Sequence, residues 1–110
     1  MPMDVAPIIY EDRTLLPIRF VVEPLGGSVL WDPIEKKVTI AYKDTTIELW
    51  IGNHIAKVNG VDTIIDPDNH NVKPIIVALG RTMLSLRFIS EALGCTVGWD
   101  ELTQQVTVTN

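Results

Sequence analysis

The chain has 110 residues, 46% hydrophobic and 21% charged, which is the length of one domain with enough apolar side chains for a core and excludes a disordered tail. Nine Lys and Arg against fourteen Asp and Glu leave a net charge of -5, so an electrostatic hold on nucleic acid or on an anionic membrane would work against the overall field. A single cysteine cannot close an intramolecular disulfide, no apolar run reaches the roughly 20 residues of a membrane span, and Met1-Pro2 is not followed by the basic and apolar regions of a signal peptide, so an exported parent would need its signal elsewhere.

Ile8 to Tyr10 and Thr14 to Leu16 are β-prone segments on either side of the polar Glu11-Asp12. Pro17 then sits where a first helical residue tolerates a missing N–H, and Ile18, Val21, Val22 and Leu25 fall at helical spacing before a glycine stop at Gly26. Phe20 lies on the far side of that stripe, so the helix is apolar on two sides and calls for enclosure. Pro24 conflicts with it, and its late position predicts a kink or early termination. Val29 and Trp31, then Val38, Ile40 and Tyr42, alternate as half-buried strands joined by a hairpin at Asp32 to Lys36. Ile47, Leu49 and Ile51 continue the pattern up to a turn at Gly52-Asn53. Ile55 to Val58 and Val61 to Ile65 flank Asn59-Gly60, whose residues both accept the positive φ of a type I′ turn. Asp66 to Asn71 carries too many breakers to be anything but a loop.

The second half repeats the first. Arg13 to Ile40 aligns without gaps on Arg81 to Val108 at an offset of 68, with 13 of 28 positions identical. Pro7-Ile8-Ile9 also meets Pro74-Ile75-Ile76 once the offset drops by one. Leu86, Ile89, Ser90 and Leu93 form a weaker helical stripe before Gly94, Ser85 stands in the place of Pro17 as a good N-cap, and Asp100 to Gln104 forms the second hairpin turn. The chain reads as one domain over 1–110, with repeat units at 7–42 and 74–110 and a hairpin connector at 45–65.

Pro7-Ile8-Ile9, Arg13 to Phe20, Glu23 with Leu25-Gly26, Val29 with Trp31-Asp32, and Lys37 to Ile40 together resemble the repeat of the copper amine oxidase N-terminal-like domain family. The likeness covers nearly the whole chain, and Ile47 to Ile65 resembles that family's linking hairpin. It implies an α+β fold in which an antiparallel sheet curls around short helices, in agreement with the two-sided helix. It also implies a non-catalytic piece of a bacterial secreted or cell-surface protein, hence an extracellular location. The family's oxidase chemistry requires a copper held by three histidines and a quinone made from a tyrosine, both in a separate catalytic domain. With His54 and His70 its only histidines, far apart in sequence, this chain offers no metal-ligand pattern, so no cofactor is carried over.

The remaining residues divide between structural and binding roles. Trp31 and Trp99 each share a strand face with a valine, and core packing is the expected fate of both, with stacking on sugar rings the sharper alternative. Trp50 points opposite to Leu49, with Glu48 on its own face; burial under a neighbouring element is the ordinary reading of this indole and an exposed contact the sharper one, which makes Trp50 and Glu48 the candidate binding residues. Arg19 with Glu23, and Arg87 with Glu91, stand at i, i+4 and are expected to pair along their helices. Arg13 and Arg81 recur before each helix, where a guanidinium bonded to backbone carbonyls would lock the strand-to-helix turn; a carboxylate-binding role is the alternative. Asp66, Asp68, Asn69 and Asn71 place oxygens at roughly alternate positions, but without the glycine and closing glutamate of an EF-hand they read as a solvated loop. Cys95 replaces Gly27 and reads as a small buried filler, and Ser28, Ser85 and Ser90 have no histidine at a diagnostic spacing. The expectation is a non-enzymatic spacer or anchor whose partners are other domains of its parent, with cell-wall polysaccharide as an alternative ligand and exposed sheet edges available for homo-oligomers.

Overall fold

A computed structural model describes residues 7–77, 80–100, 102–103 and 105–109. Among the described residues eleven strands and two short helices, mostly antiparallel sheet, make this an α+β fold. Strands β1 (Ile8–Tyr10) and β2 (Arg13–Pro17) lead into α1 (Arg19–Val22) and a 3-10 turn at Glu23–Leu25. Five strands follow in order: β3 (Ser28–Asp32), β4 (Lys37–Tyr42), β5 (Thr45–Trp50), β6 (Ile55–Val58) and β7 (Val61–Ile64). The chain ends with β8 (Ile75–Val77), β9 (Arg81–Ser85), α2 (Leu86–Leu93), β10 (Thr96–Asp100) and β11 (Gln105–Thr109).

Strands β3 to β7 form a meander in sequence order, because each connection is a tight turn. Lys36 and Lys43 adopt positive φ in two of these turns, and Asn59 and Gly60, at φ 51 and 81, form the expected third. Ile47 and Leu49 are buried on one face of β5, as their alternation requires. A second sheet has the order β1-β2-β9-β8. Its middle ladder joins strands far apart in sequence, pairing Leu15 with Ser85, Leu16 with Leu84 and Pro17 with Met83. The β1–β2 turn has two residues, Glu11 and Asp12, both at positive φ, whereas three separate Val77 from Arg81. β10 and β11 form a separate two-stranded ribbon.

The first helix is shorter than its apolar stripe predicts. Pro17 ends β2 and is not the first helical residue; α helix runs only from Arg19 to Val22, and the backbone tightens to 3-10 at Glu23-Pro24-Leu25 before Gly26 at φ 91. Pro24 is the cause, since it cannot donate the hydrogen bond that would continue the α register. Where Ala92 replaces it, α2 runs eight residues, capped by the Ser85 side chain accepting from the Phe88 N–H and stopped by Gly94 at φ 68. α2 packs against β2, β9, β5 and β10. Phe88 and Ile89 are both buried, so this helix is enclosed as its two apolar sides require, whereas Phe20 on α1 is only half-buried. One core receives both helices and the inner faces of the sheets, with Leu16, Val21, Leu49, Ala56 and Val72 at 0% exposure. Each fully buried Leu or Val stabilises by roughly 1.5–3 kcal/mol before entropy is charged against it.

Candidate functional site

The two candidate indoles lie on opposite faces of the meander. Trp31 pairs across to Val38 and then Leu49, whereas the next rung runs from Asp32 through Lys37 to Trp50. Neighbouring rungs point to opposite sides of a sheet, so the fold does not bring Trp31 and Trp50 together.

On the outer face, Trp50 is half-buried and sits below the ammonium of Lys37, whose Nζ is 6.0 Å from the ring centroid. Lys37 Nζ also donates to Glu48 Oε2 at 3.2 Å and lies 3.3 Å from Glu35. These two carboxylates push the Lys37 pKa upward, Glu48 being the larger cause, so the group is a cation at every physiological pH. Trp50 and Glu48 thus share one face as expected, with Lys37 between them as the organising residue. Only the register of two hairpins brings Lys37 to that place.

Trp31 departs from its expected core position and is 42% exposed. β3 is an edge strand, and the closely packed face ends at Val38, so the indole rests on one side against that face and meets solvent on the other. It borders a cleft of about 380 Å³ lined by Pro17, Ile18, Val29, Val38, Ile76, Gly80 and Thr82, with Arg19 and Arg81 in its wall. Among the described residues no acidic side chain lines this cleft, in a chain whose net charge is -5. Its floor joins the end of β2 to β9, since the Ile18 N–H donates to Thr82 O at 3.0 Å. Arg19 Nη1 lies 3.1 Å from Glu23 Oε2, and Arg87 Nε lies 3.0 Å from Glu91 Oε1 on the exposed face of α2. The Trp99 side chain lies outside the described residues; its backbone pairs with Val106.

Arg13 is not bonded to backbone carbonyls as expected. Its Nε donates to Asp66 Oδ2, and Asp66 is 4% exposed. The reading of Asp66 to Asn71 as wholly solvated is therefore corrected at its first residue. Asp66 Oδ1 also accepts from the Asp68 N–H at 2.9 Å, an Asx turn that shapes the loop while Arg13 ties it to β2. The Arg13 hydrogen bond, then the backbone donors, hold the Asp66 carboxyl below the usual carboxylate range, against the opposing effect of burial. The signals in the sequence were the recurring arginine and the Asp-Pro-Asp-Asn turn pattern. Cys95 is buried in the core, and burial pushes its thiol pKa up. Ser90 Oγ is occupied by the Leu86 carbonyl and the Val97 N–H.

The loops also bring together His54 and His70, whose rings stack with centroids 4.7 Å apart, a meeting that their sequence separation conceals. Among the described residues no group of three or more His, Cys, Asp or Glu side chains could hold a metal ion. Two imidazoles without a third ligand do not fit a three-histidine copper centre, so no reaction step is assigned to that metal.

The antiparallel sheets, the two short helices and the side-chain pairs on the sheet faces define a small α+β module. The sequence model of the copper amine oxidase N-terminal domain matches residues 1–109, and the chain belongs to that family, which supplies a non-catalytic part of amine oxidases. No curated protein and no solved structure matches the chain.

Proposed function

We propose that this chain is a structural or interaction module, a spacer or anchor that holds other domains of a bacterial secreted or cell-surface protein. Its membership of a non-catalytic domain family carries the reading. The side-chain arrangement supports it, because Arg13, Lys37 and Ser90 are each committed to internal partners that fasten strands, loops and helix ends. We also read the chain as a duplicated unit, 7–42 and 74–110 around the connector 45–65. In support, Leu16 and Leu84 are equivalent in the alignment and face each other in the β2–β9 ladder, with the flanking pairs related by exchange of the two halves. The test is a parent protein in which the module is deleted or replaced by an unrelated domain of equal length. Restoration of surface display and partner-domain activity by the replacement is expected of a spacer. Loss in both would reject it.

A second reading, binding of cell-wall polysaccharide, is favoured by the exposed Trp31 beside its cleft more than by Trp50, which Lys37 already covers. Indole stacking offers a large apolar contact at low entropic cost. Titration of wall polysaccharides against tryptophan fluorescence should give a saturable change that disappears in Trp31→Ala and persists in Trp50→Ala. A flat titration would reject this reading.

A further inference from the structure

The cleft beside Trp31 gathers positive charge and apolar surface in one concave place. Two of the exposed large hydrophobic side chains border it, Trp31 at 42% and Ile76 at 45% exposure, and Arg19 and Arg81 stand in the same wall. Among the described residues no carboxylate lines it, although the chain carries a net charge of -5. A hollow bounded by guanidinium groups and apolar walls concentrates a field that favours an anion. Its volume of about 380 Å³ lies at the lower end of the roughly 300–1,000 Å³ of small-ligand sites, room for a short stretch of a longer molecule.

Arg19 is only lightly held. Its Nη1 meets Glu23 Oε2 at 3.1 Å with the two side chains 45% and 52% exposed, and exposed pairs of this kind contribute little. A guanidinium offers five N–H donors in a planar fork that matches the oxygens of a carboxylate or phosphate in pairs, so an anion entering the cleft can replace Glu23 or bind alongside it. Arg19 and Arg81 also line a second hollow of about 370 Å³ with Phe20, Glu23 and Pro24, so both arginines belong to two adjoining hollows and a ligand longer than one ring finds room. The aligned positions of the other half are equipped differently. Arg13 is engaged there by Asp66, and Asp12 precedes it where Gly80 precedes Arg81.

We propose that this cleft binds an acidic polysaccharide, the apolar face of one sugar ring lying on Trp31 and the carboxylate or phosphate of that sugar or its neighbour meeting Arg19 in the arginine-lined wall. This rests on the polysaccharide reading above and adds the charge that the ligand must carry. A sugar ring suits the indole because it presents a flat apolar face of similar size. A string of acidic side chains would satisfy the arginines yet leave Trp31 and Ile76 uncovered.

Titration of tryptophan fluorescence tests this, with an oligogalacturonate as the carboxylate ligand and a phosphomannan fragment as the phosphate ligand. Their uncharged counterparts are the galacturonate methyl ester and neutral mannan, and polyglutamate is the peptide control. One or both charged glycans should bind saturably, at least about tenfold more tightly than the uncharged counterpart, and added salt should weaken the charged ligand alone. Arg19→Gln should remove most of this preference while keeping the wild-type far-UV spectrum, since its side chain is 45% exposed. Glu23→Gln, which releases the guanidinium from its carboxylate, should tighten the charged ligand by about twofold. Equal affinity for charged and uncharged glycans would overturn the proposal and leave the polysaccharide reading standing, whereas silence with every glycan, wall polysaccharides included, would reject both. A preference unchanged in Arg19→Gln, or polyglutamate binding as tightly as the glycans, would also overturn it.

Discussion

The Arg13 guanidinium and the buried Asp66 carboxylate form an ion pair that fastens the loop after β7 to strand β2. Residues 53 positions apart are thereby held at the junction between the meander and the mixed-origin sheet.

This pair makes stability depend on pH in a defined direction. Asp66 has a depressed pKa in the folded chain, so its contribution is fully present above the ordinary carboxylate range and is lost as pH falls through the folded value. Asp66→Asn should be less stable than wild type at neutral pH, and the gap between their urea midpoints should close as the pH is lowered below that range. A gap that stays constant with pH would show that Asp66 acts through packing or turn geometry alone.

Gly27 has no room for a side chain. An added Cβ would lie 2.7 Å from Val22 Cγ1 and 2.8 Å from the carbonyl oxygen of Ala41. Gly27→Ala should therefore destabilise by about 1–3 kcal/mol, the usual cost of overpacking, in chemical denaturation. Cys95 fills the aligned position of the second half, where a side chain is accommodated.

The Cys95 thiol is 8% exposed and its pKa is raised by burial. Both effects slow attack by thiol reagents, which require accessible thiolate. Labelling of the native chain with a disulfide reagent at neutral pH should be at least about tenfold slower than in the urea-unfolded chain. Equal rates would place Cys95 at the surface.

Pro24→Ala should extend α1 toward the eight-residue length of α2, because alanine restores the missing donor and removes the ring. The far-UV helical signal should deepen, with stability rising by up to about 1 kcal/mol. An unchanged spectrum would mean that packing around Phe20 and Leu25 dictates the 3-10 turn.

The local architecture was legible in the sequence wherever one periodicity or one turn dominated. Ile47 and Leu49 announced β5 by alternation, Asn59-Gly60 announced its hairpin, and Pro24 announced the shortened helix. Tertiary relations were less legible. Trp31 shares a face with buried Val29, yet its place near the end of an edge strand leaves it half in solvent, and strand alternation does not encode where a face ceases to be covered. Asp66 looked like one of several loop carboxylates, and only the arrival of β2 beside the loop gives it Arg13. His54 and His70 meet for the same reason, through the return of a loop. Of the candidate site, Glu48 and Trp50 were placed on their shared face by the β5 alternation. Lys37 between them depends on a cross-strand register that composition does not specify.

The β2–β9 ladder has a consequence for how the chain is made on the ribosome. The meander can close as it emerges, since each strand docks on its immediate predecessor. β2 must wait with Leu15 and Leu16 unpaired on one side until Met83, Leu84 and Ser85 have been synthesised. A nascent chain stalled before that point holds a finished meander beside an uncovered greasy strand, the state in which a chaperone would be needed most.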